Sequence, residues 1–299
     1  MRAPLRPMGL GEILDAAIQM LRTNLLLFMA IAAVPGIANL GLQLSRDWAR
    51  THRASHGSGL SVGIALIAEL VFALGMMIFG AMARGAKCRA AAQIAVGESV
   101  TAQSAYGAFR YRVGRMIGLG ILQGLYSFWP LIFGAVALLS MNAVGFLLFG
   151  ISLVCCGPFL ARYALAYPAT AVMDLTASDS LRRSEELSRG FRWKVLWTYA
   201  LPAGIVLAMN LGGVELIGWF IPSAAHAGSA GFLWLALEGL WVFLINVVFG
   251  PVASIAVTLA YYDLCVRKEG LDIEQMMEQA GMPPAVLPTY STNFPAEPR

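Results

Sequence analysis

The stretch Phe232-Leu-Trp-Leu-Ala-Leu-Glu-Gly-Leu-Trp-Val-Phe-Leu-Ile-Asn-Val-Val-Phe-Gly-Pro-Val-Ala-Ser-Ile-Ala-Val-Thr-Leu-Ala-Tyr-Tyr262 carries one charged residue, Glu238. A helix needs about 20 predominantly apolar residues to cross a hydrocarbon core of ~30 Å, and this run exceeds that. Working outward, five more such runs lie at 25–44, 61–83, 116–138, 143–168 and 194–220, with the quoted one at 232–262. Only Leu139 to Asn142 separates the third from the fourth. One helix of that combined length would reach ~75 Å at 1.5 Å per residue, so a tight hairpin turning at Asn142 is expected.

Composition agrees. The 299 residues are 58% hydrophobic and 13% charged, with a mean hydropathy of +0.68. A water-soluble domain carries roughly 25% charged residues, and too little charge is present here to cover such an exterior. The net charge of +4 does not indicate a nucleic-acid partner, because its basic residues sit in short blocks between apolar runs. The expected architecture is all-α and polytopic: a six-helix membrane domain over 1–270, then a cytoplasmic tail over 271–299. The tail begins as a short helix and turns disordered at its prolines. No cleaved leader is expected.

Orientation follows from the cations. The N-terminal segment, 84–115, 169–194 and the C-terminal tail hold 17 of the 21 Lys and Arg, whereas the alternate loops hold only Arg46, Arg50 and Arg53. Cytoplasmic loops carry that excess. An inner-membrane protein with both termini in the cytoplasm is therefore expected.

The basic segments have helical periodicity of their own. Leu10, Ile13, Leu14, Ala17, Ile18 and Leu21 form one apolar face, with Glu12, Asp15, Gln19 and Arg22 opposite. A weaker version uses Ala102, Ala105, Tyr106, Phe109 and Val113. A third runs from Ser178 to Phe191, behind Thr176-Ala-Ser-Asp179, which has capping-box spacing. Such helices lie along the membrane interface. Gly11-Glu12, Gly97-Glu98 and Asp179 mark the openings of three helix-plus-hairpin units. Two readings stay open: a threefold internal repeat, or three basic-then-apolar hairpins that look alike.

Three segments carry a family resemblance: Met8-Gly-Leu-Gly-Glu-Ile-Leu-Asp-Ala-Ala17, Ser180-Leu-Arg-Arg-Ser-Glu-Glu-Leu-Ser-Arg-Gly-Phe-Arg-Trp193 and Tyr261-Tyr-Asp-Leu-Cys-Val-Arg-Lys-Glu-Gly-Leu-Asp272. They resemble bacterial integral membrane proteins grouped as the membrane domain of glycerophosphoryl diester phosphodiesterase. The phosphodiesterase barrel that names the family needs roughly 200 or more residues, which this chain does not supply. The resemblance implies the membrane part alone, without the enzyme.

Charged groups inside a span are functional candidates by default, given what it costs to hold them there. Glu69, Glu215 and Glu238 fall in the outer leaflet, where they could line a cavity for a cation or a cationic headgroup; the plainer reading is that Glu215 and Glu238 are hydrated at the headgroups and Glu69 is protonated or hydrogen-bonded to a neighbour. Arg162 lies near enough to the inner interface to snorkel. Asn210 and Asn246 share a depth and are expected to hydrogen-bond between helices. Arg110, Arg112, Arg115, Arg182, Arg183, Arg189 and Arg192 are candidate contacts for anionic headgroups.

His52 and His56 are spaced i, i+4, but stand in what reads as a flexible loop, and no metal site is expected from them or from His226. The four cysteines form no C-x-x-C pair, so neither zinc nor a disulfide is expected. Prolines interrupt every proposed span except the second, at Pro35, Pro130, Pro158, Pro202 and Pro251. Gly120 and Gly124 form a G-x-x-x-G pair suited to close helix packing.

No catalytic constellation and no cofactor motif stands out. The expected role is a non-enzymatic scaffold, or a lipid- or envelope-associated accessory component. Its expected partners are membrane lipids and another membrane protein or a second copy. The alternative is a small transporter or channel using the outer carboxylates.

Overall fold

The computed structural model describes residues 7–55, 59–107, 113–139, 142–173, 175–220 and 229–269. The short helix expected at the start of the tail, the proline-rich end, Arg110, Arg112, His56 and His226 lie outside them. The helices are α1 (Leu10–Thr23), α2 (Leu25–Ser55), α3 (Gly59–Val96), α4 (Ala102–Gly107), α5 (Val113–Leu138), α6 (Ala143–Tyr163), α7 (Ala166–Met173), α8 (Ala177–Ser188), α9 (Arg192–Phe220), α10 (Ser229–Val248) and α11 (Pro251–Glu269). Five stretches are long and apolar enough to cross a membrane, or six if the bent α5 counts as one. The chain is therefore an all-α, multi-pass membrane protein.

The long helices pack in sequence: α2 on α3 and α10, α10 on α9, α9 on α6, α6 on α5, and α5 back on α3. This closes a ring. At the end of the ring where the basic segments gather, α11 takes the middle, touching α1, α2, α3, α7, α8, α9 and α10. Ile255 to Tyr261 and Asp263 to Val266 are buried there. The densest core is thus a collar at one end of the bundle, joining Ile13, Ala17, Leu21, Phe28, Ala86, Ala90, Leu165, Leu187 and Leu264. Along most of the spans, large apolar side chains such as Leu70, Phe133, Val154, Ile205 and Trp219 face outward. Lipid tails, as apolar as leucine, are the natural solvent for that surface.

Several boundaries differ from the sequence reading. The second span does not stop at 83: α3 continues to Val96, because Ala86, Ala90 and Ala91 give it a small-residue face that packs in the collar. Gly97, at φ 94°, ends it. Gly97-Glu98 is therefore the turn after α3, not the opening of the second unit.

That opening lies at Thr101, where the Thr101 hydroxyl accepts from the Ser104 amide (3.2 Å) and the Ser104 hydroxyl from the Thr101 amide (3.1 Å). Comparable caps begin α1, where the Gly9 amide donates to Glu12 (2.7 Å), and α8, where the Asp179 amide donates to Thr176 (3.3 Å). Each short helix precedes an outgoing and a returning long helix. The element order thus repeats three times, in a register set by Gly9, Thr101 and Thr176.

The stretch at His52 is not a loop, since α2 extends through it to Ser55. The predicted apolar face of α1 is narrower than its periodicity: Ile13, Ala17 and Leu21 are buried, whereas Ile18 is exposed. The hairpin at Asn142 forms as expected, with its side chain accepting from the Gly145 amide (2.8 Å) to cap α6.

The fourth and sixth spans are each two helices. One breaks at Ala164–Leu165 and the other at Phe249–Gly250, where Pro251 opens α11 at a position that needs no amide donor. In α5, the axis bends by 51° between Ser127 and Trp129. Pro130 supplies no amide to the carbonyl of Tyr126 and its ring crowds that turn.

Candidate functional site

The most concentrated polar chemistry lies inside the collar. Asp263, on α11, has a side chain with no exposed surface, yet it takes up four hydrogen bonds. One carboxylate oxygen accepts from the Met8 amide (2.6 Å), the other from Lys194 Nζ (2.6 Å), and Arg267 Nε reaches both at 3.1 Å. Lys194 Nζ and an Arg267 guanidinium nitrogen also donate to the Met8 carbonyl, at 2.6 Å and 3.0 Å.

A buried carboxylate is costly unless paired and fully hydrogen-bonded, and here both conditions hold. Local sequence explains the positions. Met8 precedes the Gly9 cap, so its backbone groups have no helical partner; Lys194 stands in the first turn of α9; Arg267 is one turn beyond Asp263. The cluster ties the chain's first helix to its last.

A second polar seam holds α8 against the break between α6 and α7. That break frees backbone groups, and Ser184 takes two of them, donating to the Arg162 carbonyl (2.8 Å) and accepting from the Leu165 amide (3.1 Å). Ser180, one turn earlier on the same buried face, pairs with Thr170 at 2.7 Å. The far end of α8 turns through Gly190 (φ 85°), and Lys268 donates to the carbonyls of Glu186 (2.8 Å) and Arg189 (2.7 Å) there.

Arg162 does not simply reach toward the interface: its guanidinium pairs with Glu185 of α8 at 2.5 Å and lies over the Tyr163 ring. Arg189 adds a second contact to Glu185 at 3.2 Å. Hydrogen bonding from Arg162 holds the Glu185 carboxyl below its ordinary value of 4.5, with Arg189 acting in the same direction.

In the native state this group therefore binds fewer protons than in the unfolded chain. Its stabilisation is complete above the ordinary value and is lost as pH falls through the depressed one. Thermal unfolding in detergent, followed from about pH 7 to about pH 3, should show an acid-side loss of stability that is shallower in Arg162→Gln. Equal slopes in the two proteins would remove Glu185 from the account.

The other predicted residues divide. Asn246 donates to the Asn210 side-chain oxygen at 3.4 Å, so the expected link between α9 and α10 is present, though long. Each amide also donates within its own helix. Glu69 and Glu238 are half-buried and neither is free of an interaction, while Glu215 is exposed. They stand on α3, α10 and α9, and among the described residues no group of three His, Cys, Asp or Glu could hold a metal ion.

Of the basic candidates, Arg182 pairs with Glu186 (3.1 Å), Arg183 with Glu269, and Arg115 reaches the Leu175 carbonyl at 3.4 Å. Arg192 is exposed. Several of these arginines therefore bind the collar together.

Asp263, Lys194, Ser184 and Glu185 were not singled out from the sequence as site residues. Their one signal was position: each lies in the basic segments, where charge is the ordinary expectation. No family model, no curated protein and no solved structure matches the chain.

Proposed function

We propose that the protein is a non-enzymatic component of the bacterial inner membrane, a scaffold or lipid- and envelope-associated accessory protein whose working part is the cytoplasmic collar. The observation that carries this reading is where the packing lies. The core and the buried ion pairs concentrate in the short helices at the basic end, while the spans present apolar side chains outward. A transporter usually puts its polar groups at the midplane, between broken helices. Here the strongest polar cluster is at one end, and the helix breaks at Ala164–Leu165 and Phe249–Gly250 deliver α7 and α11 into that same collar.

The basic end is assigned to the cytoplasm by its Lys and Arg. There, exposed Arg182, Arg189 and Arg192 adjoin an anionic leaflet. The resemblance to stand-alone membrane domains of the phosphodiesterase group fits a role without catalysis.

The test is purification of the full chain in native-lipid nanodiscs, with mass spectrometry of what remains bound. A stoichiometric membrane-protein partner, lost on deleting Leu10 to Leu21 or Ser180 to Trp193, is the expected result. Retention of that partner after both deletions would overturn the collar's role.

A further inference from the structure

An α-helix binds each amide to the carbonyl four residues back, and between α6 and α7 that ladder is interrupted. The Leu165 amide, whose helical acceptor is the Ala161 carbonyl, donates instead to the Ser184 hydroxyl at 3.1 Å. The same hydroxyl donates to the Arg162 carbonyl at 2.8 Å. The next carbonyl, that of Tyr163, accepts from Gln123 Nε2 of α5 at 3.1 Å. The Ala164 carbonyl has no helical donor in any arrangement, because Pro168 stands four residues on. Yet Ala164 keeps right-handed helical dihedrals, at φ −60° and ψ −33°. The backbone is shaped for a helix while side chains from two other elements occupy its hydrogen-bonding groups. A group inserted into the ladder in this way opens a helix locally.

The element that delivers Ser184 is lightly attached. The buried face of α8 is built from Ser180, Ser184 and Ser188 with Leu181 and Leu187. Its ties to α6 and α7 are polar as well: Thr170 to Ser180 at 2.7 Å, and Arg162 to Glu185 at 2.5 Å. Water satisfies serine hydroxyls nearly as well as protein does, and a serine-rich face exposes little apolar surface when it separates. The link from α8 to α9 passes through Gly190 at φ 85°, where glycine allows the chain to pivot.

We propose that α8 is a detachable wedge: docked, it holds the α6–α7 ladder open through Ser184; withdrawn, it lets the ladder close. In the closed form the Leu165 amide returns to the Ala161 carbonyl, and the Arg162 and Tyr163 carbonyls return to donors within their own helix. Closure also releases Gln123. The Gln123 and Ser184 bonds therefore favour the same open form, although they come from different helices and touch different carbonyls. Because α7 packs on α3 through Ala166, Tyr167 and Ala171, closure shifts that seam of the collar. Docking of α8 and packing of the collar are coupled in this way, whichever partner the collar serves.

The test is hydrogen exchange of the full chain in detergent, resolved to single amides. Ser184→Ala removes the inserted hydroxyl with little change in size. The amides of α8 should then exchange about tenfold faster, the scale of one lost hydrogen bond. Leu165 should exchange no faster than in wild type, because the Ala161 carbonyl takes the place of Ser184. Gln123→Met removes a bond to Tyr163 and leaves Ser184 intact. It should nonetheless speed exchange in α8, since weakening the open form by either bond favours the closed one. Glu185→Gln, which loosens the hold on Arg162, should act in the same direction and carries the test if Ser184→Ala does not assemble.

Faster exchange at Leu165 together with α8 in Ser184→Ala would overturn the proposal, marking Ser184 as a staple whose loss frays both elements. Unchanged exchange in α8 in Gln123→Met would overturn it too, because the two bonds would then be independent.

Discussion

Replacing Asp263 with alanine should destabilise the fold by about 3–5 kcal/mol, the usual consequence of removing one partner from a buried ion pair. Without the carboxylate, the Lys194 ammonium is left with the Met8 carbonyl, and the Met8 amide loses its acceptor. Arg267 is less committed, since its side chain is 30% exposed and can turn to water.

In detergent, the thermal midpoint should fall on the order of 10 °C. Hydrogen exchange should rise first in Met8 to Thr23, because the cluster holds the entry of α1. Asp263→Leu combined with Lys194→Met should recover much of the loss, since replacing a whole buried pair with apolar groups is often close to neutral. A single alanine variant as stable as wild type would mean that the carboxylate's desolvation already cancels its contacts.

Valine at Gly213 should open the hairpin between α9 and α10. A Cβ there would lie 1.9 Å from Nε1 of Trp241, and the indole cannot tolerate that approach. Moving the ring also breaks its hydrogen bond to the Met209 carbonyl (3.1 Å), and it disturbs the Asn210–Asn246 link one turn away. Overpacking together with a lost hydrogen bond amounts to about 2–4 kcal/mol. The expected results are a lower yield in the membrane fraction and a lower thermal midpoint. Trp241→Leu placed on the Gly213→Val background should restore both in part. If Gly213→Val alone behaves as wild type, the two helices do not pack through that seam.

Both sites show how far the residues could be read in line. Asn210 and Asn246 were legible as an interhelical pair because counting from the span ends puts two amides at one depth, where hydrocarbon offers no other partner. Gly213 was not legible, because a glycine in a span reads the same whether lipid or an indole faces it. Arg162 looked like a snorkelling arginine because sequence gives its distance from the interface but not that Glu185 stands beside it. Gly97 looked like the start of a unit because Gly-Glu recurs there; only the run of buried alanines past residue 83 carries α3 far enough to make it an end.

The sequence by itself determined the solvent, the helical class, the approximate spans and the presence of amphipathic segments at the basic end. These follow from properties summed over many neighbouring residues: apolar length against bilayer thickness, a 3.6-residue period, and the bias of Lys and Arg between alternate loops. The tertiary structure alone decided which helices meet, that α11 enters the centre of the collar, and that Met8, Lys194 and Asp263 converge. It also decided that Ser184 of α8 enters the ladder between α6 and α7. Those outcomes depend on single side chains brought together from distant positions, 255 residues apart for Met8 and Asp263. No local pattern encodes such pairings, because a charge in a basic loop has the same neighbours in sequence whether it ends in water or in a buried pair.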